Sequence, residues 1–98
     1  MVEQGEVYDL EVRGVHYRVI VVSSNVHNRV MVPWVVPVRH GVLDAPPYAV
    51  PLHDTDPLGG TADVNRLERA EPTGRPLGMI TGGTMARIRD AIATVFAG

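Results

Sequence analysis

The 98-residue sequence contains no cysteine and no lysine. The absence of cysteine excludes disulfide bonds and thiolate sites, and we expect a reducing, cytoplasmic location. All nine positive side chains are arginine, whose planar set of donors suits phosphate. The net charge of −2 argues against a general nucleic-acid coat protein, which would be strongly basic, but it leaves room for a local basic site.

The sequence also lacks a long apolar run. The longest such segment, residues 30–38, carries two prolines and is about half as long as the roughly 20 residues of a membrane helix. Near the start there is no basic stretch followed by an apolar one. We therefore predict no signal peptide and no contact with a membrane. The length predicts one domain over residues 1–98.

Strand signals dominate the first 80 residues. Apolar residues alternate with polar ones, and residues 15–24 are rich in β-branched and aromatic side chains. Arg13-Gly14 predicts a tight turn, because glycine tolerates a positive φ. Pro33 and Pro37 cannot donate to a strand ladder, so the third strand must have an edge or a bulge there. We predict six strands, over residues 5–12, 15–24, 30–39, 48–52, 62–67 and 77–80, with loops at 41–47 and 53–60.

The pattern changes to that of a helix near the end of the chain. Thr81 is a suitable N-cap, and an apolar stripe follows at spacings of three and four residues. Its members are Met85, Ile88, Ile92, Val95 and Phe96. The predicted fold is mainly β (α+β): a small antiparallel barrel of about six strands with one C-terminal helix over residues 82–96.

Four stretches carry a resemblance to a known family. Residues 5–8, Gly-Glu-Val-Tyr, resemble its Gly-Glu-(Val/Ile)-(Trp/Tyr) start, and residues 19–23 resemble its second strand. Residues 35–38 with 48–52 resemble its third and fourth strands, and residues 63–66 with 77–80 its last strand and helix entry. In this order, they cover nearly the whole chain. The sequence therefore resembles the MazF/PemK-like toxins, which are related in fold to CcdB.

The resemblance implies an SH3-like barrel and a homodimeric endoribonuclease encoded beside an antitoxin protein of the MazE kind. Such an enzyme cuts single-stranded RNA at specific sequences, through attack of a 2′-hydroxyl on its own phosphate. That chemistry needs a base, an acid and positive donors, and neither a metal nor another cofactor.

The sequence departs from the family at three places. The first loop is only Val12-Arg13-Gly14-Val15. The family's Arg-Pro falls on Tyr17-Arg18, and a shift of one residue along a strand points the arginine to the other face unless a bulge restores it. The family's Thr-Ser falls on Arg39-His40.

The candidate catalytic residues are therefore Arg18 and Arg39 for phosphate and His40 as proton carrier. Alternatively, Arg39-His40 is a solvated loop start. Asp63 and Arg66 match the family's acidic and arginine positions and are supporting candidates, or else a surface salt bridge. His16 could reach the same face as Arg18, or simply be half-exposed.

Other features favour structure over chemistry. The segment His53-Asp54-Thr55-Asp56 resembles a set of metal ligands, but such loops are usually solvated turns, and we predict no metal site. Trp34 is expected in the core or a dimer contact rather than stacked on a base. The alternative function is a protein-binding toxin of the same fold, CcdB-like, or a lapsed nuclease that binds an antitoxin peptide. A plain SH3-like interaction module is a third interpretation.

Overall fold

The computed structural model describes residues 1–41 and 46–96. Most of the loop predicted over residues 41–47 lies outside them. The elements in chain order are β1 (Glu6–Val12), β2 (Val15–Val21), α1 (Asn25–Asn28), β3 (Trp34–Arg39), β4 (Ala49–Pro51), β5 (Thr61–Asp63), a 3-10 turn (Val64–Arg66), β6 (Glu68–Arg69), β7 (Gly78–Met79) and α2 (Gly82–Phe96).

The strands form one curled antiparallel sheet. Six strands follow the order β4-β5-β3-β2-β1-β7, and β6 pairs with β3 off this path. The sheet curls into a half-barrel, and α2 is the long helix at the end of the chain. The predicted fold class, a small barrel-like sheet of about six strands with one C-terminal helix, is therefore confirmed.

The hairpin of β1 and β2 turns tightly at Arg13-Gly14. Their φ angles are +52° and +80°. Two successive positive values match the twist of a two-residue hairpin turn, and glycine adopts such a value without steric cost. The register then runs unbroken from Val12 opposite Val15 to Val7 opposite Ile20.

Pro37 lies where β3 changes partners. On one side β3 pairs with β2 from Val35 to Val38, whereas on the other side Trp34 and Val35 pair with β6, and Val38 and Arg39 pair with β5. Pro37 falls between these two pairings. A residue without an N–H group is tolerated at such a gap in the ladder.

The third strand begins at Trp34, so the prediction of a start at residue 30 was wrong. The Ser24 hydroxyl accepts from His27 N and caps the short helix α1. The His27 ring bonds to the Val32 carbonyl at 2.9 Å, and the Ser23 hydroxyl accepts from Trp34 N. These local bonds compete with extension of the strand.

The predicted fifth strand, residues 62–67, is also interrupted. After β5, Val64 is fully buried beneath α2, and the chain makes a single 3-10 turn before β6. Burial of the Val64 side chain in the core stabilises this turn. Its effect outweighs the local preference of these residues for a strand.

Two apolar clusters lie on opposite sides of the sheet. The side that α2 covers, here called the helix side, includes Val7, Ile20, Val36 and Val38 with Ile88 of the helix. The other side, here called the outer side, includes Tyr8, Val19, Val21 and Val35, with Tyr17 packed at its margin.

The predicted start of α2 is confirmed, since Thr84 N donates to the Thr81 hydroxyl. Met85 and Ile88 are buried, whereas Phe96 at the end of the predicted stripe is exposed. None of the helices in the described ranges is long and apolar enough to cross a membrane.

Candidate active site

The sheet divides the predicted site residues between its two sides. Arg18 lies opposite Val38 on β3, and Val38 belongs to the cluster beneath α2, so Arg18 is on the helix side. Side chains alternate along a strand, which places Tyr17 and Arg39 on the outer side. Because the register through β2 is unbroken, no bulge brings Arg18 back to the side of Arg39.

Arg39 and Asp63 form an ion pair on the outer side. The Arg39 Nε lies 2.9 Å from Asp63 Oδ2, and the Asp63 side chain is only 15% exposed, against 47% for Arg39. The two residues lie on the adjacent strands β3 and β5, where Arg39 is opposite Thr61. Asp63 therefore holds the guanidinium at the sheet surface while part of it stays open to solvent.

Tyr17 and Glu68 form a hydrogen bond on the same side. The Tyr17 hydroxyl donates to Glu68 Oε1 at 3.1 Å. Burial raises the pKa of Tyr17, as do this hydrogen bond and the charge of Glu68. The phenol is therefore protonated at neutral pH, as an ordinary tyrosine is, and it can donate a hydrogen bond. The last pair of the β2–β3 register is Arg18 opposite Val38, and extending that register by one position brings Tyr17 to the level of Arg39.

We call Tyr17, Arg39, Asp63 and Glu68 the ion-pair cluster. Asp63 on β5 and Tyr17 on β2 flank β3 from opposite sides, with Arg39 between them. Neighbouring strands are about 4.8 Å apart. A phosphate held by Arg39 would thus have a carboxylate on one flank and a phenol on the other.

Arg66 does not join this cluster through Asp63. The sequence offered these two residues as supporting groups or as a salt bridge across one strand, but the 3-10 turn separates them, and the Asp63 carboxylate is paired with Arg39. Arg66 is exposed at the end of that turn.

The remaining three predicted residues, His16, Arg18 and His40, meet in one cleft on the helix side. The cleft has a volume of about 370 Å³ and is also lined by Asp9, Tyr17, Val38 and Leu58. We call it the histidine cleft. Asp9 lies opposite Arg18 and its Oδ2 is 3.0 Å from His16 Nδ1, while Glu11 Oε2 is 3.9 Å from His16 Nε2.

A glycine lets the loop before β5 approach the end of β3. Gly60 has a φ of +118°, and a Cβ atom there would lie 2.8 Å from the Arg39 carbonyl oxygen and 3.2 Å from His40 Cε1. The loop 53–60 therefore packs directly against the end of β3, where Arg39 of the ion-pair cluster is followed by His40 of the histidine cleft.

Asp56, in the acidic segment 53–56 that resembles a set of metal ligands, has a structural role. Its carboxylate accepts from His53 N and Thr81 N, each at 2.7 Å, and from the Thr84 hydroxyl at 2.6 Å. Burial raises the pKa of Asp56, but hydrogen bonds from Thr81, Thr84 and His53 lower it, and the net pKa lies below the ordinary value. The residue ties the loop to the start of α2.

Three polar residues of these two sites were not among the sequence candidates: Tyr17, Glu68 and Asp9. Tyr17 had a signal, because it occupies the family's arginine position. Glu68 and Asp9 are recognised only by the partners that the register gives them.

Comparisons with known proteins support the fold. Protein-family models and curated protein sequences give no match. Among solved structures, the chain is similar to an endoribonuclease from a mycobacterial species in complex with its cognate antitoxin, with 26% identity, TM-score 0.89, and coverage of 99% of this chain and 96% of that one. A second mycobacterial endoribonuclease matches with 26% identity and TM-score 0.85, over 98% of this chain and 91% of that one.

A MazE–MazF complex from Deinococcus radiodurans matches in fold alone. Its identity is 16% and its TM-score 0.81, over 96% of this chain and 93% of that one. The chain therefore has the fold of the small barrel-like endoribonucleases. More particularly, the fold is that of the MazF protein in that complex, and the resemblance predicted from the sequence is confirmed at the level of the fold.

Proposed function

We propose that this chain is a MazF-like endoribonuclease toxin that acts as a homodimer and is restrained by an antitoxin protein. The likeness to mycobacterial endoribonucleases over nearly the full length supports this function. The single observation that carries it is the placement of Tyr17 and Arg39 on the same side of neighbouring strands, with Arg39 paired to Asp63 and Tyr17 bonded to Glu68.

The two residues exchange the groups that the family carries at these positions. Where the family has an arginine on the second strand and a threonine on the third, this chain has a phenol at Tyr17 and a guanidinium at Arg39. Since the strands are neighbours, the exchange keeps one cation and one hydroxyl on the same patch of sheet. We propose that the site has been rearranged and has not lapsed.

The ion-pair cluster supplies the groups that cleavage at a 2′-hydroxyl requires. Asp63 takes the proton of the 2′-hydroxyl as its oxygen attacks phosphorus, and Arg39 stabilises the negative charge of the phosphorane. Tyr17 donates its proton to the departing 5′-oxygen. The products are a 2′,3′-cyclic phosphate and a free 5′-hydroxyl, and proton exchange with water restores Asp63 and Tyr17.

Glu68 has a positioning role in this scheme, because it holds the Tyr17 hydroxyl at 3.1 Å and helps to keep it protonated. The proposed substrate is single-stranded RNA cut at a short sequence, since unpaired bases expose the edges that proteins read. The groups named need no metal ion.

The test is cleavage of a long single-stranded RNA by the purified protein in EDTA. We expect cuts at a short defined sequence that leave cyclic-phosphate ends, and loss of these cuts in Arg39→Ala. Arg75→Gln, which removes a positive charge from an exposed loop, is the control and should cut like the wild type. Intact RNA after incubation with folded protein would overturn the proposal.

An exposed part of α2 favours one alternative function, that of a CcdB-like toxin that poisons a protein partner. Phe96 is 53% exposed, and Arg89 is exposed on the same helix. In that case Arg89→Ala and Phe96→Ala would relieve toxicity in cells, while Arg39→Ala would leave it unchanged.

A further inference from the structure

The histidine cleft lies on the helix side of the sheet and the ion-pair cluster on the outer side, and Tyr17 borders both. We infer that the histidine cleft is a second binding site, which takes the terminal phosphate of a nucleotide. The inference does not depend on RNA cleavage, since none of the four residues of the ion-pair cluster supplies a charged side chain on the helix side.

Arg18 provides the principal donor for a phosphate. Among the described residues, no carboxylate oxygen lies within 4.0 Å of its guanidinium, although Asp9 is its neighbour across the hairpin. The Asp9 carboxylate is instead engaged by His16 at 3.0 Å. The five N–H donors of an arginine match the oxygens of a phosphate in a bidentate geometry.

The two imidazoles surround the same space. His16 is anchored by Asp9, and His40 lies just after β3, two positions beyond Val38 on the same strand path. A carboxylate on one ring nitrogen orients the imidazole. The cleft therefore brings the Arg18 guanidinium and the His40 imidazole to one space, while the ring nitrogens of His16 face Asp9 and Glu11.

The apolar residues that line the cleft indicate a ligand larger than a free anion. Val38 and Leu58 give the cleft an apolar wall beside the polar one. A volume of about 370 Å³ is within the range of small-molecule sites, roughly 300 to 1,000 Å³, in which apolar walls hold a ligand that a few polar groups orient. A nucleotide fits this lining if its sugar and base pack against Val38 and Leu58 and its phosphate binds Arg18.

Two ligands carry such a terminal phosphate: a free mononucleotide and the phosphorylated end of an RNA chain. The test is an NMR titration of the protein with uridine 3′-monophosphate, a trinucleotide with a 3′-terminal phosphate, inorganic phosphate, and uridine. We expect signals of His16 and His40 to shift with both phosphorylated ligands, weakly with inorganic phosphate, and not with uridine. Preference for the trinucleotide would identify an RNA end as the ligand.

Variants then assign the site. Arg18→Gln should weaken mononucleotide binding by about tenfold or more, because it removes a charge-assisted hydrogen bond. Arg75→Gln makes the same charge change on an exposed loop and should bind like the wild type. His40→Gln, as a second cleft variant, should also weaken binding, and thermal unfolding checks that each variant is folded.

Two results would overturn the inference. One is the absence of shifts at His16 and His40 with any phosphorylated ligand. The other is equal weakening by Arg18→Gln and Arg39→Ala, which would place the ligand at the ion-pair cluster. Loss of RNA cleavage in Arg39→Ala together with unchanged mononucleotide binding would separate the two sites.

Discussion

At the scale of single residues, we propose the Tyr17 hydroxyl as the proton donor to the leaving 5′-oxygen. It is half-buried, it donates to Glu68, and its raised pKa keeps it protonated at neutral pH. Tyr17→Phe should lower the single-turnover rate of RNA cleavage about 100-fold, the lower part of the range for a general acid, while RNA affinity stays unchanged.

Tyr48→Phe is the matched control, because Tyr48 is exposed and lies outside both sites. It should cleave like the wild type. Equal rates for Tyr17→Phe and the wild type would exclude Tyr17 as the proton donor, whereas an equal loss in both variants would indicate a general effect on the fold.

The ion-pair partner of Asp63 could not be predicted from the sequence. Asp63 and Arg66 are three positions apart, which suggested a pair along one strand. The actual partner is Arg39, 24 positions earlier, because the β3–β5 register brings the two together. Pairings of this kind depend on register, which local pattern does not determine.

At the scale of elements, Asp56 joins the loop 53–60 to helix α2. Asp56→Asn should lower the free energy of unfolding by roughly 1–3 kcal/mol at neutral pH, because buried donors lose a charged acceptor. Chemical denaturation measures this difference. Asp54→Asn, in the same loop but exposed, should change stability little.

The same substitution has a defined pH dependence. The pKa of Asp56 is lower in the folded protein than its ordinary value of 3.8. Its stabilising contribution is therefore complete above the unfolded pKa and is lost as the pH falls through the folded pKa. The difference between wild type and Asp56→Asn should shrink below about pH 3.8. A difference that stays constant down to strongly acidic pH would contradict this assignment.

Gly60 gives a second prediction for the same loop. Gly60→Ala combines a strained positive φ with a Cβ atom 2.8 Å from the Arg39 carbonyl, so it should cost at least about 1 kcal/mol of stability. Gly59→Ala is the matched control, since a Cβ atom there meets nothing within 4 Å. Thermal unfolding compares the two, and equal melting temperatures would show that the loop yields without cost.

Most elements could be predicted from their sequence patterns. The β-branched run of β2, the Arg13-Gly14 turn and the Thr81 cap each form local structure with a local cause. The start of β3 and the end of β5 could not be predicted, because capping by Ser24 and burial of Val64 override the strand pattern.

At the scale of the whole molecule, the barrel-like fold could be predicted because segment order and periodicity agree along the chain. The sequence predicted that Arg18 points to the other face of the sheet unless a bulge restores it, but it could not decide whether a bulge is present. The unbroken register through β2 settles this point and separates Arg18 from Arg39.

Exposed apolar residues bear on assembly. Val26, Val30 and Met31, between β2 and β3, are 72%, 76% and 49% exposed. We predict that the protein is a dimer and that Val30→Asp, which introduces a charge into this patch, weakens it. Sedimentation should give twice the chain mass of 10.6 kDa for the wild type. A monomer at micromolar concentration would contradict this prediction.

If a cation and a hydroxyl have exchanged strands without loss of function, the reverse exchange should restore an active site. RNA cleavage in EDTA should be measured for Tyr17→Arg, Arg39→Thr and the double variant. Each single variant should lose about 100-fold in rate. Tyr17→Arg places two cations side by side and removes the phenol, whereas Arg39→Thr keeps the phenol and removes the cation. The double variant should recover most of that loss. A folded double variant no more active than either single variant would contradict the claim.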